Sequence, residues 1–310
     1  MSEQKTKHDI IVIGAGPAGY TAGIYSSRAR RDTLLISGIL PGGQLMNTTD
    51  VENYPGFDEG IMGPDLMIIM RKQAEKMGTK IIDDEVVSVD FKSKLLKVST
   101  ASSTFEANSV IVCTGANPRK IGLDGEQAFA GKGVSYCATC DGAFFKNQEL
   151  IVVGGGDSAM EEATFLTKFA STVHIVHRRD EFRASKIMQE RALSNEKIKV
   201  HFNCTVEDIQ GDQKFQKVIL KNVKNDEKIT LEAGGLFVAI GHEPNSKILE
   251  GRVELDENGY VVLKNNTETS IPGVFCAGDV HDHRYRQAVT AAGFGCMAAI
   301  DADKYLAEQK

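Results

Sequence analysis

Two cysteines two residues apart, Cys137 and Cys140, are followed directly by an acid, Asp141. This spacing can close a small disulfide ring, and it suits the opening of a helix, where backbone N–H groups and the helix dipole lower a thiol pKa. Because only the thiolate attacks a disulfide, a lowered pKa favours thiol–disulfide exchange. Asp141 is close enough in sequence to exchange a proton with one sulfur. The motif therefore predicts a redox-active dithiol with an adjacent proton carrier.

The same cysteine spacing is also half of a zinc site. A structural zinc ion needs four ligands, and the sequence contains no second CxxC or HxxxH motif, so we predict no metal. Six cysteines in 310 residues are too few for a disulfide framework. This cysteine usage predicts a reducing, cytoplasmic compartment, in which a disulfide would be catalytic.

A glycine-rich turn, residues 14–19 (GAGPAG), joins an apolar strand, residues 8–13, to a helix. Strand, glycine turn and helix form the context in which this fingerprint binds the pyrophosphate of a dinucleotide. Gly14 would make the tight turn, Gly16 would let the backbone approach the ligand, and Gly19 would let the helix pack on the strand. The alternative is a strand–helix turn without a ligand.

A second fingerprint, residues 154–159 (GGGDSA), repeats this arrangement after the strand at 149–153. The strand that follows its helix ends in a basic segment containing His177, Arg178, Arg179 and Arg183. Guanidinium groups bind phosphate in bidentate fashion, so this segment favours the 2′-phosphate of NADPH. The alternative is a solvated basic face at the start of a helix. A dithiol between two dinucleotide sites suggests that electrons pass from nicotinamide to flavin to disulfide.

Three other strand ends would bring further groups to the crevice beyond a parallel sheet. The strand near Ser37 lacks the acid that usually binds a ribose hydroxyl, which leaves that contact to another group. The other two ends are Thr114-Gly115 and Gly278-Asp279. Polar loops at 42–45 and 51–56 are candidates for ligand contacts, with ordinary turn chemistry as the alternative.

The composition excludes several functional classes. Hydrophobic residues make up 42% and charged residues 25%, and the formal net charge is −6, which argues against nucleic acid or an anionic membrane as the main partner. No apolar run reaches membrane-spanning length. The start of the chain, residues 1–9, is polar and predicts no secretory signal.

The order of the motifs predicts an α/β fold with two Rossmann-like dinucleotide-binding domains. We place chain crossings at Asn117-Pro118 and at Pro244-Asn245. Residues 1–117 and 246–310 would form one discontinuous domain, and residues 118–245 would form the other. Because the dithiol and the second fingerprint share the middle segment, we also predict that this segment rotates during each cycle.

With these motifs assembled, the chain resembles the low-molecular-weight thioredoxin reductases over essentially its whole length. The resemblance rests on CATCDG between two fingerprints, together with GGQL, VENYPG, HRRDEFRAS, GLFVAIGHEPN and IPGVFCAGDV followed by RQA. It implies a homodimer that binds FAD and NADPH and reduces thioredoxin or a thioredoxin-like protein. FAD would lie on the domain made of both chain ends, and NADPH on the middle domain with the disulfide.

The resemblance also assigns residues. Cys140 would meet the flavin, Cys137 would attack the protein substrate, and Asp141 would supply protons. The expected FAD-binding residues are Gly14, Gly16, Pro17, Ala18, Gly19, Ser37, Gly43, Gln44, Asn53, Thr114, Gly115, Asp279, Arg286, Gln287 and Ala288. The expected NADPH-binding residues are Gly154, Gly156, Asp157, Ser158, Ala159, His177, Arg178, Arg179 and Arg183.

One departure from the family concerns substrate docking. The family often has two aromatic residues directly after CxxCDG, whereas here alanine fills the first place of the run Ala143-Phe144-Phe145.

Other functional interpretations also fit parts of the sequence. A flavoprotein that reduces ferredoxin would need no dithiol, a dithiol oxidase would need no basic segment, and a redox sensor would need no turnover. The client could also belong to a peroxide-reducing system.

Overall fold

A computed structural model describes residues 6–309 of the chain. The polar start of the chain, where the sequence predicts no secretory signal, lies partly outside these residues. The chain divides into two units: the end unit, made of Met1–Asn117 and Glu243–Lys310, and the middle unit, Pro118–His242. The second change of unit therefore falls between His242 and Glu243, where the sequence places it after Asn245.

The end unit begins with alternating strands and helices and then adds a strand meander. In chain order its elements up to the first crossing are β1 (Lys7–Ile13), α1 (Pro17–Arg28), β2 (Thr33–Ile36), a 3₁₀ helix (Gly43–Asn47), β3 (Asp50–Val51), β4 (Ile61–Met62), α2 (Gly63–Met77), β5 (Lys80–Ile82), β6 (Val86–Asp90), β7 (Leu96–Thr100), β8 (Thr104–Val112) and β9 (Ala116–Pro118).

The middle unit repeats the alternation and adds an antiparallel sheet. Its elements are α3 (Asp124–Ala128), β10 (Val134–Ser135), α4 (Ala138–Asp141), a 3₁₀ helix (Gly142–Phe145), β11 (Glu149–Val153), α5 (Asp157–Leu166), β12 (Thr172–His177), α6 (Lys186–Leu193), β13 (Ile198–Phe202), β14 (Cys204–Gly211), β15 (Phe215–Asn222), β16 (Lys228–Glu232) and β17 (Gly235–Val238). The chain then returns to the end unit through β18 (His242–Pro244), a 3₁₀ turn (Lys247–Leu249), β19 (Val274–Cys276) and α7 (Ala288–Glu308).

Within the described residues, the end unit contains a seven-stranded sheet in the order β5-β2-β1-β8-β7-β6, with β19 also paired to β8. Strands β5, β2, β1, β8 and β19 run parallel to one another, while β6 and β7 form an antiparallel extension. In the register, Val274 of β19 pairs with Val110 of β8. The sheet is therefore complete only when the C-terminal segment lies beside the N-terminal one.

Both faces of the central strands are buried, which explains their continuous apolar runs. Ile10 and Val12 of β1 face a cluster that includes residues of α1, α2 and α7, while Ile11 and Ile13 face a second cluster with residues of β6–β8. This division follows from the two-residue period of a strand. Helices α1 and α7 are in close contact. A Cβ on Gly295 of α7 would overlap the carbonyl oxygen of Ala18 in α1, so only glycine fits there.

The middle unit contains a five-stranded parallel sheet in the order β10-β17-β11-β12-β13 within the part of the chain that the structure describes. Leu150 and Val152 of β11 face a cluster with residues of α5, and Ile151 faces a cluster with the antiparallel strands β14–β16. The two crossing strands, β9 and β18, pair with each other. Both passages of the chain between the units therefore run side by side.

The elements match most of the sequence-based expectations, with two differences. The polar loop expected at 42–45 lies largely in a short 3₁₀ helix. Residues 81–89, whose alternating apolar and polar side chains predict a single strand, divide into β5 and β6. Helix α2 ends before Gly78, which has a φ of 105°, as its position in the pattern predicts. No helix among residues 6–309 has the length and apolar character needed to cross a bilayer.

Candidate active site

The Cys137–Cys140 pair forms a disulfide, with the two Cα atoms 5.3 Å apart. Cys137 is the N-cap residue of α4, and its sulfur accepts a hydrogen bond from the Cys140 N–H at 3.2 Å. Cys137 is half-buried and Cys140 is exposed. The predicted dithiol is therefore assembled as a local ring at the opening of a helical turn.

Asp141 lies at the C-terminal end of this turn, and its carboxyl group is subject to two opposing influences. Burial raises the pKa of its carboxyl group above the ordinary value, and a hydrogen bond from the Ser135 hydroxyl opposes this shift. The Ser135 Oγ lies 2.6 Å from Asp141 Oδ2. A carboxyl group whose pKa is raised in this way can hold a proton close to the disulfide.

The first fingerprint has the backbone geometry of a pyrophosphate site. Gly14 has a φ of 104°, and a Cβ on it would overlap the carbonyl oxygen of Cys113. A Cβ on Gly19 would overlap the carbonyl oxygen of Gly14. A Cβ on Gly16, the N-cap residue of α1, would meet no described atom within 4 Å, so the space beside it can admit a ligand. Pro17 and Ala18 form the first turn of this helix.

Two buried oxygens beside this fingerprint fit the polar groups of FAD. Within the described residues, Asp279 Oδ1 and Thr114 Oγ1 are buried without a hydrogen-bond partner. Burial, with a contribution from the neighbouring charge of Asp282, raises the pKa of Asp279 to about 7. Buried polar atoms are normally paired, so both positions suit hydrogen-bonding groups of a bound ligand. The residues present therefore fit FAD.

The segment before α7 is held by one buried carboxylate. Asp282, 6% exposed, accepts hydrogen bonds from the backbone N–H groups of Arg284, Tyr285 and Arg286 at 2.8–3.1 Å. Arg286 has a φ of 48°, a left-handed backbone conformation that is unfavourable for residues other than glycine. Gln287 is then the N-cap residue of α7, within a capping box, and Ala288 is its first residue. Asp282 thus fixes the backbone of the predicted Arg286-Gln287-Ala288 contact.

Three more of the predicted FAD-binding residues, Gly43, Gln44 and Asn53, lie close to other segments of the end unit. Asn53 Nδ2 lies 3.3 Å from Gln287 Oε1, and the loop of residues 52–58 that carries Asn53 lines a surface cavity. Gln44 Nε2 donates to Asn117 Oδ1 at 2.6 Å. Gly43 lies next to Gly16, since a Cβ on Gly43 would be 3.5 Å from the Cα of Gly16.

The remaining two predicted FAD-binding residues, Ser37 and Gly115, form hydrogen bonds with neighbouring backbone groups. Ser37 is buried at the end of β2, and its hydroxyl donates to the carbonyl oxygen of Gly38. Gly115 has a φ of 72° and accepts the N–H of Asn245. An acid does lie near Ser37: Asp83 follows β5, and hydrogen bonding to Arg71, with a smaller contribution from Ser37, lowers the pKa of its carboxyl group. Asp83 is engaged by the Arg71 guanidinium at 2.8 and 2.9 Å.

The second fingerprint, in the middle unit, has similarly close packing around its glycines. A Cβ on Gly154 would overlap the carbonyl oxygen of Ala239, while Gly156, the N-cap residue of α5, has open space beside it. Asp157 and Ser158 begin the helix, and buried Ala159 packs close to Gly154. Asp157 Oδ1 accepts the N–H of Ser185 at 2.6 Å. These residues fit the pyrophosphate of a second dinucleotide.

His177 is engaged by the protein's own backbone. It is buried at the end of β12, and its Nε2 lies 3.0 Å from the carbonyl oxygen of Glu181. Burial lowers the pKa of His177. A Cβ on Gly155 would overlap its ring, so the imidazole packs directly against the glycine turn. The expected role of His177 in NADPH binding stays a prediction.

The three arginines of the basic segment, Arg178, Arg179 and Arg183, are exposed. In the described chain no ion pair involves their side chains. The backbone N–H of Arg183 donates to the carbonyl oxygen of Gly155 at 2.8 Å, which ties the segment to the glycine turn. The guanidinium groups are thus available to an anionic ligand beside the fingerprint.

Sequence reasoning missed Ser135, Gly155 and Asp282. Gly155 could have been found from the triple glycine, whereas the contacts of Ser135 and Asp282 depend on how short turns bring side chain and backbone together. Among residues 6–309, no group of three or more His, Cys, Asp or Glu side chains is arranged to hold a metal ion.

Comparison with known proteins agrees with this geometry. Residues 8–295 match the model of the pyridine nucleotide-disulphide oxidoreductase family. The chain is 53% identical over 310 residues to a thioredoxin reductase of Mycolicibacterium smegmatis, and the alignment covers 100% of both chains. It is 54% identical over 302 residues to one of Streptomyces clavuligerus, which covers 96% of this chain and 94% of the relative.

Solved structures give the same result. The thioredoxin reductase from Giardia duodenalis superimposes with a TM-score of 0.94 at 44% identity, covering 98% of this chain and 100% of that one. The enzyme from Streptococcus pyogenes MGAS5005 has the same TM-score at 41% identity and the same coverage.

The chain belongs to the pyridine nucleotide-disulphide oxidoreductase family. Within that family it groups with the low-molecular-weight thioredoxin reductases, whose members use FAD and NADPH on two Rossmann-like domains.

Proposed function

We propose that the chain transfers electrons from NADPH through FAD and the Cys137–Cys140 disulfide to oxidised thioredoxin or a thioredoxin-like protein. The observation that carries this function is the closed disulfide at the opening of α4, next to a carboxyl group whose pKa is raised by burial. A ferredoxin-reducing flavoprotein would need neither group. The relatives named as thioredoxin reductases support the same substrate class.

The two nucleotides divide between the two units in this proposal. FAD binds to the end unit at Gly14–Gly19, with Asp279 and Thr114 as partners for its polar groups. NADPH binds to the middle unit at residues 154–159, with Arg178, Arg179 and Arg183 at its 2′-phosphate. The end unit would then be the FAD-binding domain and the middle unit the NADPH-binding domain. When bound, the cofactors supply hydride transfer, and the protein orients them.

The side chains around the disulfide handle the sulfur chemistry. Electrons entering the disulfide break the S–S bond, and Asp141 gives a proton to one sulfur. Cys137 then attacks the disulfide of the protein substrate, and Cys140 resolves the mixed disulfide and releases reduced thioredoxin. Exposed Phe144, 43% accessible beside the motif, is a candidate contact for that substrate.

We further propose that the enzyme is a homodimer in a reducing, cytoplasmic compartment. The four other cysteines support a reducing compartment, because they are free thiols in the structure: Cys113, Cys204 and Cys276 are buried and Cys296 is half-buried. Three exposed apolar residues on α7, Val289, Met297 and Ile300, support an interface with a second copy. The family resemblance supports the homodimer.

Steady-state consumption of NADPH with a panel of acceptors tests the function. Purified protein loaded with FAD is mixed with NADPH and with thioredoxins, ferredoxin, oxygen alone or a peroxide-reducing partner. We expect rapid turnover with at least one thioredoxin and slow turnover with the others. Rapid reduction of ferredoxin by both wild type and Cys137→Ser would contradict the proposal.

A further inference from the structure

A single hydroxyl group connects the first cysteine to the proton carrier. Ser135, on β10, is 5% exposed. Its Oγ accepts a hydrogen bond from the Cys137 N–H at 3.1 Å and donates one to Asp141 Oδ2 at 2.6 Å. The Cys137 carbonyl oxygen lies 3.4 Å away and is the weaker acceptor. The Ser135 hydroxyl therefore links Cys137, at the start of the helical turn, to Asp141 at its end.

The electrostatic surroundings of Asp141 make this contact important. Two causes act on the pKa of its carboxyl group: burial raises it, and the Ser135 hydroxyl lowers it. The elements packed on α4 are α5 and the 3₁₀ helix Gly142–Phe145. Helix α5 carries Asp157, Glu161 and Glu162, and the 3₁₀ helix carries no charged residue. None of these charges contributes to the shift, so Ser135 is the described side chain that stabilises the Asp141 carboxylate.

We propose that Ser135 is a positioning residue that holds the Asp141 carboxylate in place for proton transfer to and from the Cys137–Cys140 dithiol. This inference rests on the proposed function. In the reductive step, two electrons from NADPH break the S–S bond and the two sulfurs take up two protons, one of them from Asp141. In the oxidative step, the S–S bond forms again, two electrons pass to the substrate disulfide, and its sulfurs take the two protons.

Removal of the hydroxyl has a defined consequence for proton binding. Without its donor, the carboxylate is less stable in its buried surroundings, so Asp141 binds its proton more tightly. A hydrogen bond to a charged group has a strength that corresponds to a shift of roughly one pH unit. In Ser135→Ala we therefore expect the titration midpoint of Asp141 to rise by about one pH unit.

Infrared spectroscopy of the oxidised, FAD-loaded enzyme can measure this midpoint without turnover. The C=O band of the protonated carboxyl group is followed with pH and is identified by its loss in Asp141→Asn. The pH dependence of disulfide reduction by NADPH, measured by rapid mixing, should move in the same direction. Ser194→Ala is the control, because it removes another hydroxyl of the middle unit, exposed at the C-terminal end of α6, that donates to the carbonyl oxygen of Arg191 rather than to a carboxyl group. We expect it to change neither readout.

A second pair of variants separates the hydroxyl from packing. Ser135→Thr keeps the hydroxyl and Ser135→Val has nearly the same shape as the threonine variant without it, so only the valine variant should shift the midpoint. An unshifted midpoint in both Ser135→Ala and Ser135→Val, with the disulfide intact, overturns the inference. If Asp141→Asn leaves dithiol turnover unchanged, it is instead the proposed role of Asp141 that fails.

Discussion

Two carboxyl groups with raised pKa values lie at the predicted catalytic and cofactor positions. Asp141 is close to the disulfide in the middle unit, and Asp279 follows β19 in the end unit. Burial is the main cause in both, but their surroundings differ. Asp141 has the Ser135 hydroxyl as a donor, whereas Asp279 Oδ1 has no partner among the described residues. The first group is thus suited to exchange protons, and the second to accept a hydrogen bond from a ligand.

Replacing either cysteine by serine should stop thioredoxin reduction. Disulfide exchange needs one sulfur to attack and one to resolve, whereas hydride transfer to the flavin needs neither. Cys137→Ser and Cys140→Ser should therefore each lose turnover with thioredoxin and still bleach the flavin on addition of NADPH in a stopped-flow experiment. Cys204→Ser, which changes a buried thiol elsewhere in the same unit, is the control. Loss of flavin bleaching in both active-site variants, with normal FAD content, would count against the assignment.

The affinity for FAD should depend on pH through Asp279. Its pKa is raised to about 7, and a hydroxyl donor of bound FAD would stabilise the charged form and lower this pKa. Below pH 7 the carboxyl group holds a proton that binding must release, so affinity should fall by up to about tenfold per pH unit. Fluorescence titration of the deflavinated protein with FAD at pH 5.5 to 8 measures this. Asp279→Asn should bind more weakly with little pH dependence; a wild-type affinity that is flat over this range would exclude the coupling.

At the scale of elements, the apolar periodicity and the glycine turns predicted most of the strands and helices. The strands β1 and β11 and the helices that follow them are examples, because each joins a buried run to a fingerprint. The break between β5 and β6 was not predicted. It lies at Asp83, whose carboxylate binds the Arg71 guanidinium from α2. Apolar periodicity does not indicate such a contact between two charged side chains.

In the candidate site, too, the sequence predicted the local motifs but not the contacts between loops. The cysteines and the fingerprints are local motifs and could be found from spacing alone. The packing of His177 against Gly155 and the three N–H groups held by Asp282 could not, because they depend on the path of the loops in space. The raised pKa values of Asp141 and Asp279 likewise come from burial, which the sequence does not give for an acid in a loop.

The basic segment between β12 and α6 should select NADPH over NADH. Each charge-assisted hydrogen bond contributes about 1.5–3 kcal/mol, so Arg178→Gln with Arg179→Gln should raise the KM for NADPH on the order of 10²-fold or more and leave NADH nearly unchanged. Lys186→Gln with Arg191→Gln removes two exposed charges from α6 and is the matched control. Equal losses with the two nucleotides would show that the arginines do not contact the 2′-phosphate.

At the scale of the whole molecule, we expect the enzyme to sediment as a particle of two 33.7 kDa chains. The exposed apolar side chains of α7, Val289, Met297 and Ile300, would be removed from water in such a dimer. Sedimentation velocity at several protein concentrations measures the mass directly. A single species with the mass of one chain at micromolar concentration would contradict the dimer.

The two units should also change their relative orientation during each cycle. Nicotinamide and the disulfide both belong to the middle unit in the proposed function, and each must reach the flavin in turn. The paired crossing strands, β9 and β18, are a suitable hinge, since hinges need only a few residues that absorb backbone rotation. A covalent crosslink between the units, placed away from both sites, should reduce steady-state turnover strongly. Undiminished turnover in the fully crosslinked enzyme would exclude the rotation.

The place of α7 and β19 has a consequence for synthesis on the ribosome. The end unit needs β19 beside β8 and α7 against α1 to bury its core, and both elements are made after the middle unit. At about 5–20 residues per second, the first 117 residues would wait roughly 10–40 s for them. The middle unit is contiguous and can fold as soon as it emerges. The nascent chain should therefore fold from its middle outward, with the unfinished N-terminal strands as the part most in need of a chaperone.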